Sequence, residues 1–425
     1  MEAFINWMDE HFVPIAGKIG SQRHLVAIRD GFAGIMPLIL AGSFAVLLNN
    51  TLCVWIPALS FLVPINGAVW WGTFAIMTLL IVFSIGYNLA KSYNEDGLMA
   101  GLISVASFII TLPQAPEGVG WGFIKINYLD ATALFTGLLV SLIATEIFVK
   151  LTKAHLVITI PGDVPPAVGR AFAALIPGIV TVYVFGILTS IITAMGGVSL
   201  YDVILKTIQT PLQNLGQSVG SAMLATFLIT LFWFFGLHGA NLLDPVMNAI
   251  YLPALQANAA AIQQGAVPPN IITRVFFDTY SHLGGSGATL GLIIAILLVA
   301  RKRQDLKSLA KLALPAGIFQ INEPIIFGLP IVLNPILFIP FIIIEPILTL
   351  IAYLATAIGL VPPTYVAIPW TSPVGIGAFL ATGGSVGAMI LAIINLVIAT
   401  LIYIPFVILL DRQKTTETDS KDSSK

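Results

Sequence analysis

The chain has 425 residues, 57% hydrophobic and only 9% charged, with a formal net charge of −1. A soluble domain carries about 25% charged residues, so this composition cannot cover a surface for water. No basic patch with interleaved aromatics points to nucleic acid, and the single cysteine, Cys53, rules out an intrachain disulfide or a thiolate metal cluster.

About twenty mixed polar residues open the chain, without the pattern of a cleavable signal. Apolar runs long enough to cross the hydrocarbon core then recur to the end. They fall at roughly 31–48, 71–90, 98–113, 131–149, 171–196, 219–237, 283–300, 331–358 and 384–410. The fold class predicted is an all-α polytopic membrane protein, its spans faced by membrane lipid.

Lysine and arginine sort the loops between two sides. Lys18, Arg23 and Arg29 precede the first run, Lys91 follows the second, and Lys150, Lys153 and Arg170 separate the fourth from the fifth. Arg301, Lys302, Arg303, Lys307 and Lys311 form the densest cluster, and Arg412 and Lys414 follow the last run. The 49–70 loop has no basic residue, and 114–130 has only Lys125. All basic loops face the cytoplasm if 238–282 returns across the membrane, giving about ten crossings with both termini cytoplasmic. Pro245, Pro253, Asn248, Gln256 and Asn258 interrupt that stretch, which predicts an irregular crossing shielded by protein. Between the fifth and sixth runs, 197–218 carries Leu200, Val203, Ile204, Ile208 and Leu212 at helical spacing and reads as an interfacial amphipathic connector.

The stretch 312–330 lies between two cytoplasmic ends and reads as a re-entrant hairpin. The division predicted is an N-terminal membrane domain over 1–210, a C-terminal ligand-handling domain over 211–412, and a disordered cytoplasmic tail over 413–425.

Two polar stretches interrupt the apolar second half. One runs Gly236-Leu237-His238-Gly239-Ala240-Asn241 and on to Asp244-Pro245; the other runs Gln320-Ile321-Asn322-Glu323-Pro324. Paired segments broken by proline and glycine mark a midplane site in a transporter, and a carboxylate among apolar residues is expensive unless it has a function. A sugar, a ring of hydroxyls with apolar faces, calls for groups that donate and accept together, plus an aromatic plane. His238, Asn241, Gln320, Asn322 and Glu323 supply the polar part. The proline-stiffened Pro369-Trp370-Thr371-Ser372-Pro373 loop supplies Trp370 and Thr371. A metal at His238 and Glu323 is a poor reading, since two ligands without local spacing make a weak site, and no P-loop, nucleophile elbow or dinucleotide fingerprint occurs. No cofactor is expected. Asp244 reads as a helix cap, Glu345 as an internal or interfacial acid, and Arg274, Asp278 and His282 as the source of a structural ion pair.

At these residues the chain resembles the membrane IIC (permease) component of the bacterial phosphoenolpyruvate-dependent sugar phosphotransferase system, in its lactose/cellobiose/diacetylchitobiose family. The resemblance covers nearly the whole chain. It is most specific at Gly236-Leu237-His238-Gly239, at Asn322-Glu323-Pro324-Ile325-Ile326-Phe327-Gly328 and at Pro369-Trp370-Thr371, and extends to Ser21-Gln22-Arg23-His24-Leu25. It implies a homodimer in the bacterial cell membrane, with an N-terminal dimerisation domain and a substrate domain, holding two re-entrant hairpins, that moves as an elevator. It also implies a disaccharide phosphorylated on its 6-hydroxyl by a phosphocysteine of a separate cytoplasmic IIB protein, with IIA upstream. Glu323 would hold that hydroxyl, as its base or as its positioning partner, with His238 beside it; Asn322 would bind a neighbouring hydroxyl and Trp370 would meet the sugar ring. The phosphoryl donor is then on another protein, which is expected to dock on this chain's cytoplasmic face at Arg301 to Lys311. Cellobiose-like β-glucosides come first as substrate and diacetylchitobiose second; lactose chains often carry IIB in fusion. The rival reading is a proton-coupled secondary transporter with Glu323 as proton carrier.

Overall fold

A computed structural model describes residues 10–11, 14–15, 17–114, 121–160, 165–329 and 331–412. The expected disordered tail at 413–425 and Pro330, the last residue of the expected hairpin, lie outside the described residues. Among those described, every regular element is helical. Six helices are long and apolar enough to cross a membrane: Arg23–Trp55, Pro57–Ser92, Ala131–Lys153, Leu175–Gly196, Phe338–Ala357 and Val386–Arg412. A seventh results if Leu200–Gly216 and Val219–Phe234 make one span, and two shorter apolar helices are Gly97–Thr111 and Thr289–Val299. The chain is a multi-pass membrane protein.

The chain forms two compact units. Among the described residues, one comprises Ile19–Gly216 with Asp244–Gln264, and the other consists mainly of Gln217–Leu243 and 265–412. The first unit thus takes up 244–264 from the second half of the chain.

In the first unit, Met77–Ser92, Gly97–Thr111 and Leu134–Lys153 pack on one another around Val82, Phe108, Leu112, Val140, Ala144, Phe185 and Tyr201. Small residues let these helices approach closely, as apolar burial alone does not drive helices together in lipid. A Cβ on Gly86 would stand 2.5 Å from Ser104 Oγ, and Ser104 Oγ in turn lies 3.2 Å from Thr145 Oγ1. The 197–218 connector is helical from Leu200, where Ser199 and Asp202 form a reciprocal capping box. Its first turn is not merely interfacial: Tyr201 enters the core and meets Tyr128 edge-on, ring centroids 4.9 Å apart.

The stretch expected to be irregular is a regular helix, Gly239–Gln263, that accommodates Pro245 and Pro253. Inside the first unit its Gln256 accepts from Ala131 N–H and donates to the Phe74 carbonyl at 2.6 Å. Asp244, expected as a helix cap, sits inside this helix and accepts from Asn248 Nδ2 at 2.8 Å.

In the second unit, Val219–Phe234 packs along Phe338–Ala357, and Thr289–Val299 along Val386–Arg412. The expected run 283–300 is helical only from Thr289, because a glycine-rich turn occupies its start. The basic linker is tied down: Asp411 near the end of the last helix accepts the backbone N–H groups of Arg301, Lys302 and Arg303 at 3.0, 2.9 and 2.9 Å. The predicted hairpin is a helix, Gln304–Ile318, a tight turn, and a short helix, Glu323–Gly328. Its arms touch, since a Cβ on Gly328 would lie 2.3 Å from Leu309 Cδ1. A second fold-back follows, with Tyr365 and Val366 donating to the Ala381 carbonyl at 2.9 and 3.1 Å.

Candidate functional site: a histidine and a carboxylate at two helix breaks

The site lies within the second unit, where two breaks meet. The first follows Val219–Phe234. Gly236, at φ +79°, reverses the chain and His238 then caps the next helix, its Nδ1 accepting from Asn241 N–H at 3.1 Å. An accepting Nδ1 leaves the proton of the neutral ring on Nε2. That atom lies 3.9 Å from Glu323 Oε1.

The second break is the hairpin turn. Gln320 adopts φ +67°, a left-handed conformation uncommon outside glycine, and Pro324 starts the short helix with Glu323 as its first residue. The side chains of His238 and Glu323 are 42% and 45% exposed.

Asn322 is buried and donates through Nδ2 to the Ser286 carbonyl at 3.0 Å. Gln320 is buried too, with its amide already committed. Its Oε1 accepts from the N–H groups of Gly284 and Gly285, and its Nε2 donates to the carbonyls of Asp278 and Ser372 at 3.4 and 3.2 Å. Gln320, expected as a ligand contact, is a strut joining three segments. Through Ser372 it brings the Trp370–Thr371 loop to the hairpin turn, with Trp370 exposed and Thr371 half-buried. Asn241 shows an exposed side chain one turn beyond His238. Thus Gln320, Asn322, Glu323 and His238 come together at the two breaks.

Two features escaped the sequence. Trp233 lies with its ring centroid 4.3 Å from that of His238 and 6.3 Å from that of exposed Phe327, making an aromatic wall beside the histidine; its only sequence signal is a place one turn before the first break. The expected ion pair is Arg274 with Asp278, at 3.0 Å. His282 goes elsewhere, to Glu345 Oε1 at 2.8 Å, a partner 63 positions away that no local pattern indicates.

Comparison with known proteins identifies the family. The profile for the family "Phosphotransferase system, EIIC" matches residues 29–344. The chain is 40% identical over 440 residues to the cellobiose-specific EIIC component of Geobacillus stearothermophilus, covering 98% of this chain and 96% of that one. It is 39% identical over 430 residues to the lichenan permease IIC component of Bacillus subtilis (strain 168), covering 96% and 94%. The crystal structure of the transporter ChbC, the IIC component from the N,N'-diacetylchitobiose-specific phosphotransferase system, superposes with a TM-score of 0.91 at 37% identity, over 97% of this chain and 99% of that one. With helical spans, a broken-helix site and this likeness along nearly its whole length, the chain belongs to the phosphotransferase system EIIC family, the membrane permease components of sugar phosphotransferase systems.

Proposed function

We propose that this permease binds a β-linked disaccharide, cellobiose-like first and diacetylchitobiose second, carries it across the membrane, and presents its 6-hydroxyl to a cytoplasmic IIB protein. The observation that carries the reading is the His238–Glu323 pair, two proton-handling side chains 3.9 Å apart and half-exposed at the meeting of two helix breaks. A sugar hydroxyl between them would donate to Glu323 and accept from His238 Nε2–H. In the transfer, the hydroxyl oxygen bonds to phosphorus, the phosphorus–sulfur bond of the IIB phosphocysteine breaks, and the hydroxyl proton passes to Glu323. Both roles follow from general-base chemistry with an oriented alcohol. Asn322 binds a neighbouring hydroxyl and Trp370 meets the ring, with Thr371 and Asn241 at the rim and Gln320 holding the frame. IIA supplies IIB. The family names of the similar proteins support a β-linked sugar.

The proposal includes about ten crossings, both termini cytoplasmic, a homodimer formed through the N-terminal domain, and an elevator motion of the substrate domain. Vesicle uptake tests it. Phosphorylated sugar should accumulate only with phosphoenolpyruvate, IIA and IIB, and a protonophore should not stop it. Uptake of free sugar abolished by the protonophore would refute it.

A further inference from the structure

Behind the hairpin turn lies a second polar layer. Gly284, Gly285 and Gly287 all have positive φ, +91°, +92° and +85°, so the turn they form is one that side chains cannot easily occupy. On its near side the turn carries the site. Gly284 and Gly285 donate to Gln320, and the Ser286 carbonyl accepts from Asn322. A Cβ on Gly285 would stand 2.8 Å from the Cβ of Asn322, so the two segments are in direct contact.

The far side of the same turn is held by fully buried Glu345 and Tyr403 and by the mostly buried His282. Glu345 Oε1 accepts from Gly287 N–H at 2.6 Å and from the His282 ring at 2.8 Å. The Tyr403 hydroxyl donates to the Gly287 carbonyl at 2.6 Å. Glu345 is 0% exposed, and its Oε2 has no hydrogen-bond partner among the described residues. A buried carboxylate that is only partly satisfied is a poor stabiliser, since apolar residues of similar volume often do as well. Its geometry, by contrast, is specific: it grips the turn on which Asn322 and Gln320 hang.

We infer that Glu345, with His282 and Tyr403, is a positioning unit for the sugar site: it fixes the 283–287 turn, and the turn fixes Asn322 two hydrogen bonds away. The inference rests on the sugar-site reading above. Glu345 touches no sugar, yet it sets the affinity of the site that does.

Cellobiose and diacetylchitobiose binding to the purified full chain, measured beside its melting temperature, tests this. Asn322→Ala is the reference, expected to weaken binding by about tenfold, the loss of one hydrogen bond. Glu345→Ala should weaken it to a similar extent, and the double variant should lose little more, because both act through one contact. Glu345→Gln, which keeps an acceptor for Gly287, should restore most of the affinity. If Glu345→Ala does not fold, Tyr403→Phe, which frees the Gly287 carbonyl, replaces it with the same expected loss. Unchanged affinity in a folded variant, full additivity with Asn322→Ala, or no rescue by glutamine would overturn the inference while leaving the sugar site standing. Unchanged affinity in Asn322→Ala would remove the site reading and this inference together.

Discussion

His238 gives one ring nitrogen to the helix it caps, at Asn241, and turns the other toward Glu323 3.9 Å away. One residue thus links the start of a structural helix to the turn of the hairpin, and its two contacts are separable.

His238→Asn separates them. The asparagine oxygen accepts at a helix start as well as any side chain, so the melting temperature should stay near the parental value. The group facing Glu323 is lost, and sugar phosphorylation by IIB should fall by about 100-fold, within the usual range for a general acid–base partner. Thermal unfolding and a phosphotransfer assay on one preparation decide it; equal losses in both would mean that His238 is only a cap.

Glu323→Gln keeps the shape and hydrogen-bonding capacity of the side chain but cannot accept the hydroxyl proton. Phosphorylation should drop by roughly 100-fold or more, while binding of unphosphorylated sugar, followed by isothermal titration, should persist. Parental rates in this variant would rule Glu323 out as the base.

Gln256→Ala should act on stability alone. The Gln256 side chain pairs with Ala131 N–H and the Phe74 carbonyl within the first unit, and each buried backbone group left unpaired costs about 1–3 kcal/mol. The melting temperature should fall by about 2–4 °C per kcal/mol lost. Sugar affinity of the folded fraction should be unchanged.

Tyr93 gives a pH test. Its hydroxyl donates to Glu146, and that bond, with partial burial and the Glu146 charge, holds the phenol above its ordinary value. The Arg23 guanidinium, 3.9 Å from the ring centroid, pulls the other way without cancelling this. A group whose proton is held more tightly in the folded chain stabilises it fully below the unfolded value and loses that contribution as pH rises past it. Stability should therefore decline above about pH 10, the ordinary phenol range. In Tyr93→Phe that decline should be shallower and the neutral-pH melting temperature lower; an identical alkaline decline in both would contradict the assignment.

Much of the site was legible because its chemistry conflicts with its surroundings. Glu323, Asn322 and His238 are polar residues beside glycine and proline in apolar runs, and a membrane tolerates that only where the backbone breaks around a polar cavity. Gln320 carried the same signal for a different reason: its amide braces the turn. Nothing local distinguishes a strut from a ligand, since both need a buried amide. The 239–263 helix was misread as irregular for a related reason. Proline and asparagine weaken a helix in isolation, and the contacts that tie this one into the first unit, from Gln256 to Phe74 and Ala131, span more than a hundred positions.

By itself, then, the sequence determined the solvent, the helical class, the two places where spans break and the residues that break them. Those follow from hydropathy, charge and backbone chemistry, which act over a few neighbours. Only the tertiary structure decided which breaks meet, that His238 faces Glu323 through Nε2, that Gln320 is committed to backbone, and that His282 pairs with Glu345 rather than with its neighbours Arg274 and Asp278. Each of these is a contact between distant segments, set by the packing of whole helices, and no local spacing encodes it.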